Sequence, residues 1–254
     1  MIDLHSHLLP GVDDGSRTVE QSVAVLREIV QLGVTDICLT PHLAASRISD
    51  GVPRAHDRAF VTLAAAAPEG IALHRGAEVM LDRPLPPAAA HTRGVTLAGS
   101  RYMLVEFPRM VPSETVERAL AMVHELGLRP VLAHPERYSS CSVAAARRWR
   151  AAGAQLQVDA NTLLAPSSRG ERARAILAAG LADILAADNH GDDRSLAAAR
   201  DALVAEGAEA QATLLMTTNP RAILDDQPLE LVEPVTLRIP WTRRIRRLFE
   251  SGEG

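Results

Sequence analysis

The 254-residue sequence has no lysine, only two cysteines and few aromatic residues (3%). Cys38 and Cys141 are too few for a disulfide framework, which points to a reducing compartment. The basic residues other than histidine are all arginine; with so much alanine beside them, this reads as composition rather than chemistry. No apolar run is long enough to span a bilayer. The opening MIDLHSH has neither a basic n-region nor an apolar h-region, so a cytoplasmic protein is expected. A net charge of −4 gives no global attraction for nucleic acid. What the chain does have is apolar residues: 47% are hydrophobic, enough for a sizeable core in one large domain or two small ones.

Short apolar runs alternate with longer helical patterns. Strands are expected over residues 2–5, 35–40, 71–77, 102–107, 129–133, 154–159 and 183–187. Helices are expected over 18–32, 55–66, 113–126, 142–152, 170–179 and 196–206. Gly33, Gly127, Gly153, Gly180 and Gly207 close five of these helices. A helix, a glycine stop and a short apolar run, repeated, is the pattern of βα units on a parallel sheet. Seven strands suggest an α/β fold with an incomplete or distorted barrel; an open doubly wound sheet is the alternative. No Pro/Gly/Ser-rich linker divides the chain, and residues 88–100 form an excursion before the fourth strand.

The chemistry is carried by what stands at the strand ends. The first strand runs into His5-Ser6-His7, whose i, i+2 spacing puts both imidazoles on one face. The second ends at Thr40-Pro41-His42, the third at Gly76-Ala77-Glu78, and the fourth at Val105-Glu106-Phe107. The fifth ends at Ala133-His134-Pro135 and the seventh at Ala187-Asp188-Asn189-His190. Barrel active sites are built at this C-terminal edge from several strands. Any one such residue has a structural explanation; six of seven strand ends together point to a metal site. Imidazole and carboxylate without thiolate suit Mn, Fe or Zn and disfavour Ca or a sulfur-ligated ion.

These motifs, with Glu136-Arg137-Tyr138 after the fifth strand, resemble the PHP superfamily of metal-dependent phosphoesterases. Within it they look most like the manganese-dependent tyrosine phosphatases of bacterial capsule and exopolysaccharide operons. The segment Leu8-Leu9-Pro10-Gly11-Val12-Asp13-Asp14-Gly15 resembles that subfamily's signature, as does Asn219-Pro220-Arg221. The resemblance implies a distorted seven-stranded barrel over about residues 1–226 and up to three Mn²⁺ ions, with Fe or Zn as substitutes. One ion would take His5, His7, Glu78 and Asp188; a second Glu78, Glu106 and His134; a third His42 and His190, with Asp14 as a further ligand for which Asp13 competes. Arg137 is expected to clamp phosphate. Arg194 is a second clamp or a surface residue, because Gly191-Asp192-Asp193-Arg194 departs from the family's spacing and adds two acids. The implied substrate is phosphotyrosine on a bacterial tyrosine kinase; a histidinol-phosphate-like small molecule and a non-catalytic metal scaffold are the alternatives.

Cys141 and Arg147 match the C-x5-R pattern of cysteine-dependent tyrosine phosphatases only formally. That loop needs glycines to turn backbone N–H groups towards phosphate, and Ala144, Ala145 and Ala146 favour helix instead. Asp159 and Asn161 at the sixth strand end either line the site or cap a helix. Residues 1–234 are expected to form the catalytic domain and 235–254 a basic tail. There Arg238, Arg243, Arg244, Arg246 and Arg247 alternate with Trp241, Ile245, Leu248 and Phe249, which suits either a packed terminal segment or peripheral contact with an anionic membrane.

Overall fold

The computed structural model describes residues 1–238. All seven expected strands form, and every pairing is parallel. Strands β1 (Ile2–Asp3), β2 (Asp36–Leu39) and β4 (Ala72–Arg75) make a three-stranded sheet in the order β1-β2-β4. Strands β3 (His42–Ala44), β5 (Glu78–Met80), β6 (Tyr102–Glu106), β7 (Arg129–Ala133), β8 (Gln155–Asp159) and β9 (Ile184–Ala186) follow in a six-stranded sheet.

The two sheets are one distorted barrel. β3 continues β2 past Pro41, which has no N–H for the ladder. β5 continues β4 past Gly76, where an added Cβ would lie 3.1 Å from side-chain carbons of Thr40 and Leu97. Hydrogen bonds from Gly76 N–H to the Leu39 carbonyl and from Glu78 N–H to the Pro41 carbonyl, each 3.1 Å, carry the pairing across the two breaks. At the other seam, His7 N–H donates to the Asn189 carbonyl (2.7 Å) and Asp188 N–H to the His5 carbonyl (3.1 Å), around a parallel bridge between Ser6 and Asn189. The sequence pattern treats 35–40 and 71–77 as whole strands. The structure ends each at the break and resumes pairing after a gap of two residues, placing His42 and Glu78 at the start of new strands.

The helices α1 (Val19–Gln31), α2 (Arg54–Ala66), α3 (Ser113–Glu125), α4 (Val143–Ala151), α5 (Ala160–Leu163), α6 (Ser168–Ala178) and α7 (Ala197–Ala205) connect the strands. Thr18, Ser142 and Ser167 cap α1, α4 and α6 by accepting a backbone N–H three residues on. Alternation sorts the core. Tyr102 and Leu104 pack with Leu4, Val131 and Ile184, while Met103 and Val105 join a larger layer with α3, α4 and α6. Val235 and Leu237 are buried in that layer too.

Two short helices, α8 (Glu209–Thr213) and α9 (Asn219–Leu224), joined by a π-turn, were not expected from the sequence. Pro220 stands in the first turn of α9, where its missing N–H costs nothing. The Asn219-Pro220-Arg221 motif serves the opposite end of the barrel from the strand-end residues. Asn219 Nδ2 donates to the Asp183 and Glu230 carbonyls (2.9 Å each), and Arg221 pairs with Asp36 at 2.7 Å.

Candidate metal centre

All nine expected ligands converge at the C-terminal rim. Glu78 sits at their centre. Its Oε1 lies 2.8 Å from His134 Nε2 and 3.4 Å from His5 Nε2; its Oε2 lies 3.0 Å from His42 Nδ1 and 3.3 Å from His7 Nε2. Asp188 divides its oxygens: Oδ1 lies 3.2 Å from His5 Nε2 and 3.3 Å from His7 Nε2, while Oδ2 accepts from Arg137 Nη2. His42 Nδ1 is also 3.2 Å from Glu106 Oε1. Asp14 Oδ1 lies 3.2 Å from His42 Nε2 and 3.6 Å from His190 Nε2.

Four overlapping groups can each surround a cation: His5, His7 and Asp188; His5, Glu78 and His134; His42, Glu78 and Glu106; and His7, Asp14, His42 and His190. Beside the expected sets they bring two further neighbours: Glu106 also lies against His42, and His7 joins the outer group. The cause is β3, which brings His42 to the edge of β5 in register with Glu78.

The donor set fits metal ions on three counts. Nitrogens and oxygens about 2.0–2.2 Å from a common cation stand roughly 3.0–3.5 Å from one another, the spacing found here. His5 Nε2 and His7 Nε2 face each other at 3.2 Å with acids on both sides. The acids also call for positive charge. Burial works against charging His7, yet Asp13, Asp188 and Glu78 outweigh it and lift its pKa well above the usual value. Burial likewise opposes ionisation of Glu78, but His5, His134 and His42 hold its pKa well below the carboxylate range. His42, against the cost of burial, is pushed up to about 10 by Glu106 and Glu78.

Local backbone sets these directions. His134 (φ 34°) and Asp188 (φ 51°), each just past a strand end, adopt the left-handed region that costs an L-residue roughly 1–3 kcal/mol. The buried His7 is held from behind by residues 13–15. Asp13 Oδ2 accepts from His7 Nδ1 (2.8 Å) and from His42 N–H (3.2 Å), and Oδ1 accepts from Gly15 N–H (3.0 Å). Gly15 packs so closely that an added Cβ would sit 2.0 Å from the His7 carbonyl oxygen. The two adjacent acids therefore separate cleanly. Asp13 has a 4% exposed side chain behind His7, while Asp14, 69% exposed, faces His42 and His190.

Gln157 was not singled out in the sequence. Buried on β8, its Oε1 stands 2.9 Å from His5 Nδ1, an arrangement that gives Nδ1 the proton and leaves Nε2 for the cluster. Its place two residues before Asp159, on the same face of β8 and opposite Leu156 and Val158, was the signal available. Asp159 takes both expected roles: Oδ1 caps α5 through the Asn161 and Thr162 N–H groups, and Oδ2 accepts from Arg137 at 2.9 Å.

Arg137 faces Asp159 and Asp188, which together outweigh burial and raise its pKa, so it stays charged. Arg194 Nη1 lies 3.7 Å from Asp188 Oδ2, while its Nε and Nη2 bond Asp192. Asp192 thus occupies one edge of the Arg194 guanidinium and leaves the other towards the cluster. Cys141 takes no part: it is buried, with its thiol pushed up to about 12, and Ala144, Ala145 and Ala146 lie in α4 as their propensities imply.

A parallel barrel with histidine, aspartate and glutamate side chains gathered on its C-terminal rim is an architecture suited to metal-assisted hydrolysis. The family model described as "Capsular polysaccharide synthesis, CpsB/CapC" matches residues 1–225, and the chain belongs to that family. It is 28% identical over 241 residues to the tyrosine-protein phosphatase CpsB of Streptococcus pneumoniae, covering 89% of this chain and 99% of that one. The match to the tyrosine-protein phosphatase YwqE of Bacillus subtilis is 30% over 139 residues, about half of each chain. A crystal structure from a study of YwqE and CpsB, described there as metal-dependent tyrosine phosphatases, superposes with a TM-score of 0.77 at 21% identity, over 94% of this chain and all of that one. A phosphotriesterase from Mycobacterium tuberculosis shares the fold more distantly, with a TM-score of 0.58 at 13% identity over 90% of this chain and 95% of that one.

Proposed function

We propose that this protein hydrolyses phosphotyrosine monoesters on a protein, namely a bacterial tyrosine kinase that controls capsular or exopolysaccharide synthesis. The observation that carries this is the shape of the cluster. Its inner part, built on His5, His7, Glu78, His134 and Asp188, is buried, while Asp14 and His42 (39% exposed) open it to the surface. A phosphate carried on a long side chain of a macromolecule can reach such a site without entering an enclosed pocket. The relatives' activity points the same way.

His5, His7, Asp14, His42, Glu78, Glu106, His134, Asp188 and His190 would hold up to three Mn²⁺ ions. Bound divalent ions lower the pKa of a bound water and neutralise charge on the phosphoryl group. The protein's own groups do the rest. Gln157 and Asp13 fix His5 and His7 in the orientation that presents Nε2. Arg137 and Arg194 sit at the rim behind Asp188 and clamp phosphoryl oxygens, a task for which a planar guanidinium is better suited than a point charge. The leaving phenolate, with a conjugate-acid pKa of about 10, departs more readily than an alkoxide.

Among the described residues no helix is long and apolar enough to cross a membrane. A cytoplasmic enzyme meeting its kinase at the inner membrane face is the setting we propose. Residues 239–254, which hold most of the basic tail, lie outside the described residues.

A substrate panel tests the assignment. With metal supplied, kcat/KM for a tyrosine-phosphorylated peptide should exceed that for histidinol phosphate and for a nucleotide monophosphate by at least about tenfold. The opposite ranking would move the function to a small molecule.

A further inference from the structure

Beside Arg137 the chain gathers three arginines that no step above uses. Arg109 lies in the loop after β6. Its carbonyl accepts Ser139 N–H at 2.8 Å, and Ser140 Oγ donates to the Val111 carbonyl at 2.9 Å, so this loop is laced to the segment just after Arg137. From the other side, Arg172 Nε donates to the Glu136 carbonyl at 2.9 Å, tying α6 to the 3₁₀ turn Pro135–Arg137. Arg169 stands one turn earlier on α6, at the i, i+3 spacing that makes helix neighbours.

Arg109 is exposed and Arg169 half-buried, and among the described residues neither guanidinium has a carboxylate partner. Partial burial first, and then Arg109, Arg137 and Arg172, lower the Arg169 pKa, with Glu136 opposing them. Asp159 and Asp188 pair with Arg137, which leaves Arg109, Arg169 and Arg172 without an ion-pair carboxylate among the described residues and able to attract an incoming anion. The turn Pro135–Arg137 joins this group to the phosphate clamp, so an anion held here would belong to a molecule already engaged at Arg137.

We propose that Arg109, Arg169 and Arg172 form a second anion subsite, which recognises a carboxylate or phosphate on a residue flanking the phosphotyrosine. The enzyme would then prefer protein substrates with acidic or multiply phosphorylated flanks. This rests on the phosphotyrosine reading above and adds a specificity to it. A covering of charge rather than apolar surface also favours loose, salt-sensitive recognition over a fixed interface.

The test uses the full chain with metal and four substrates: a phosphotyrosine peptide with neutral flanks, one with aspartate flanks, one carrying a second phosphotyrosine, and free phosphotyrosine. Each enzyme is judged by its own ratio of kcat/KM between charged and neutral peptides. In the wild type at low ionic strength the ratio should be about five to ten, carried by KM, and should shrink with added salt. In the double variant Arg109→Gln, Arg169→Gln it should fall to about one. These side chains reach solvent and brace nothing, so the fold is not at stake. If aspartate flanks give the gain, the subsite reads carboxylate; if only the second phosphotyrosine does, it reads phosphate. A wild-type ratio near one, or a ratio kept by the double variant, overturns the subsite while leaving phosphotyrosine hydrolysis intact. Failure to hydrolyse all four substrates, with small phosphate esters still turned over, would sink both. Loss of binding to anionic vesicles in the variant, with its peptide ratio unchanged, would assign these arginines to a membrane surface and also overturn the proposal.

Discussion

Replacing Asp13 with Asn tests how the buried half of the cluster is held. Asp13 accepts three hydrogen bonds: from His7 Nδ1 at 2.8 Å, from His42 N–H at 3.2 Å and from Gly15 N–H at 3.0 Å. An asparagine has one accepting oxygen and one donating nitrogen, so it cannot satisfy both sides. With the nitrogen towards His7, the imidazole must take the other tautomer. Its Nε2 then carries a proton and points it at Glu78 and Asp188, each 3.3 Å away, where a metal ligand needs a lone pair. With the nitrogen towards Gly15, two donors collide and the loop that backs His7 is loosened. Loss of such a supporting carboxylate typically lowers metal affinity by about 10–100-fold, or about 1.4–2.7 kcal/mol. The assay is competition for Mn²⁺ or Zn²⁺ against a chelating dye, with thermal melting recorded in chelator and in metal. Asp13→Asn should melt close to wild type in chelator and lose most of the metal-induced rise. Asp14→Asn, which changes an exposed residue of the outer group, should weaken only the outermost ion. If Asp13→Asn titrates like wild type, the proposed hold on His7 is wrong.

Three further outcomes follow from separate parts of the structure. Gly15→Ala puts a methyl 2.0 Å from the His7 carbonyl oxygen and 2.4 Å from its Cβ, so the loop must shift. It should cost about 1–3 kcal/mol in urea unfolding and reduce turnover. Cys141→Ser should leave activity intact, because the thiol is buried and held protonated; complete loss would revive a cysteine mechanism. Asp183, buried between Arg150 and the Leu156 N–H, has its carboxyl pushed up from 3.8 to about 6, chiefly by burial. A raised folded-state pKa contributes stability in full below pH 3.8 and loses it as pH rises through about 6. The stability of wild type minus Asp183→Asn should therefore fall between pH 4 and about 6.5 and then level off; a rise over that range would reverse the sign assigned to burial.

The strand ends were readable because a parallel barrel turns a one-dimensional regularity into a ring: a residue just past each apolar run must arrive at the same edge. His5, His7, Glu106, His134 and Asp188 obey that rule directly. What the sequence could not show is pairing across breaks. His42 and Glu78 face each other only because β3 and β5 resume after Pro41 and Gly76, and that register, not chain order, assigns Glu106 to His42. Asp13 and Asp14 are alike as letters and separate only when residues 8–16 fold back, with Ser16 N–H on the His7 carbonyl at 2.8 Å and Ser22 Oγ on the Leu8 carbonyl at 2.8 Å. Gln157 was hidden for a similar reason: its partner His5 is 152 residues away. The loop that carries Arg109 and the helix that carries Arg169 and Arg172 are likewise joined to residues 136–139 only by tertiary contacts. Asn219-Pro220-Arg221 resembles a family signature, and in the structure it braces the far end of the barrel through Asp36, Asp183 and Glu230.

The most direct test strips the full chain with chelator, restores Mn, Fe, Zn or Mg singly, and measures bound ions and turnover of a tyrosine-phosphorylated peptide together. Stripped protein should be inactive, Mn²⁺ should restore turnover as up to about three ions bind, and Glu78→Gln should bind fewer ions and stay inactive. Full turnover of the peptide by metal-free protein, or by Glu78→Gln, would contradict a Glu78-centred metal cluster as the seat of the reaction.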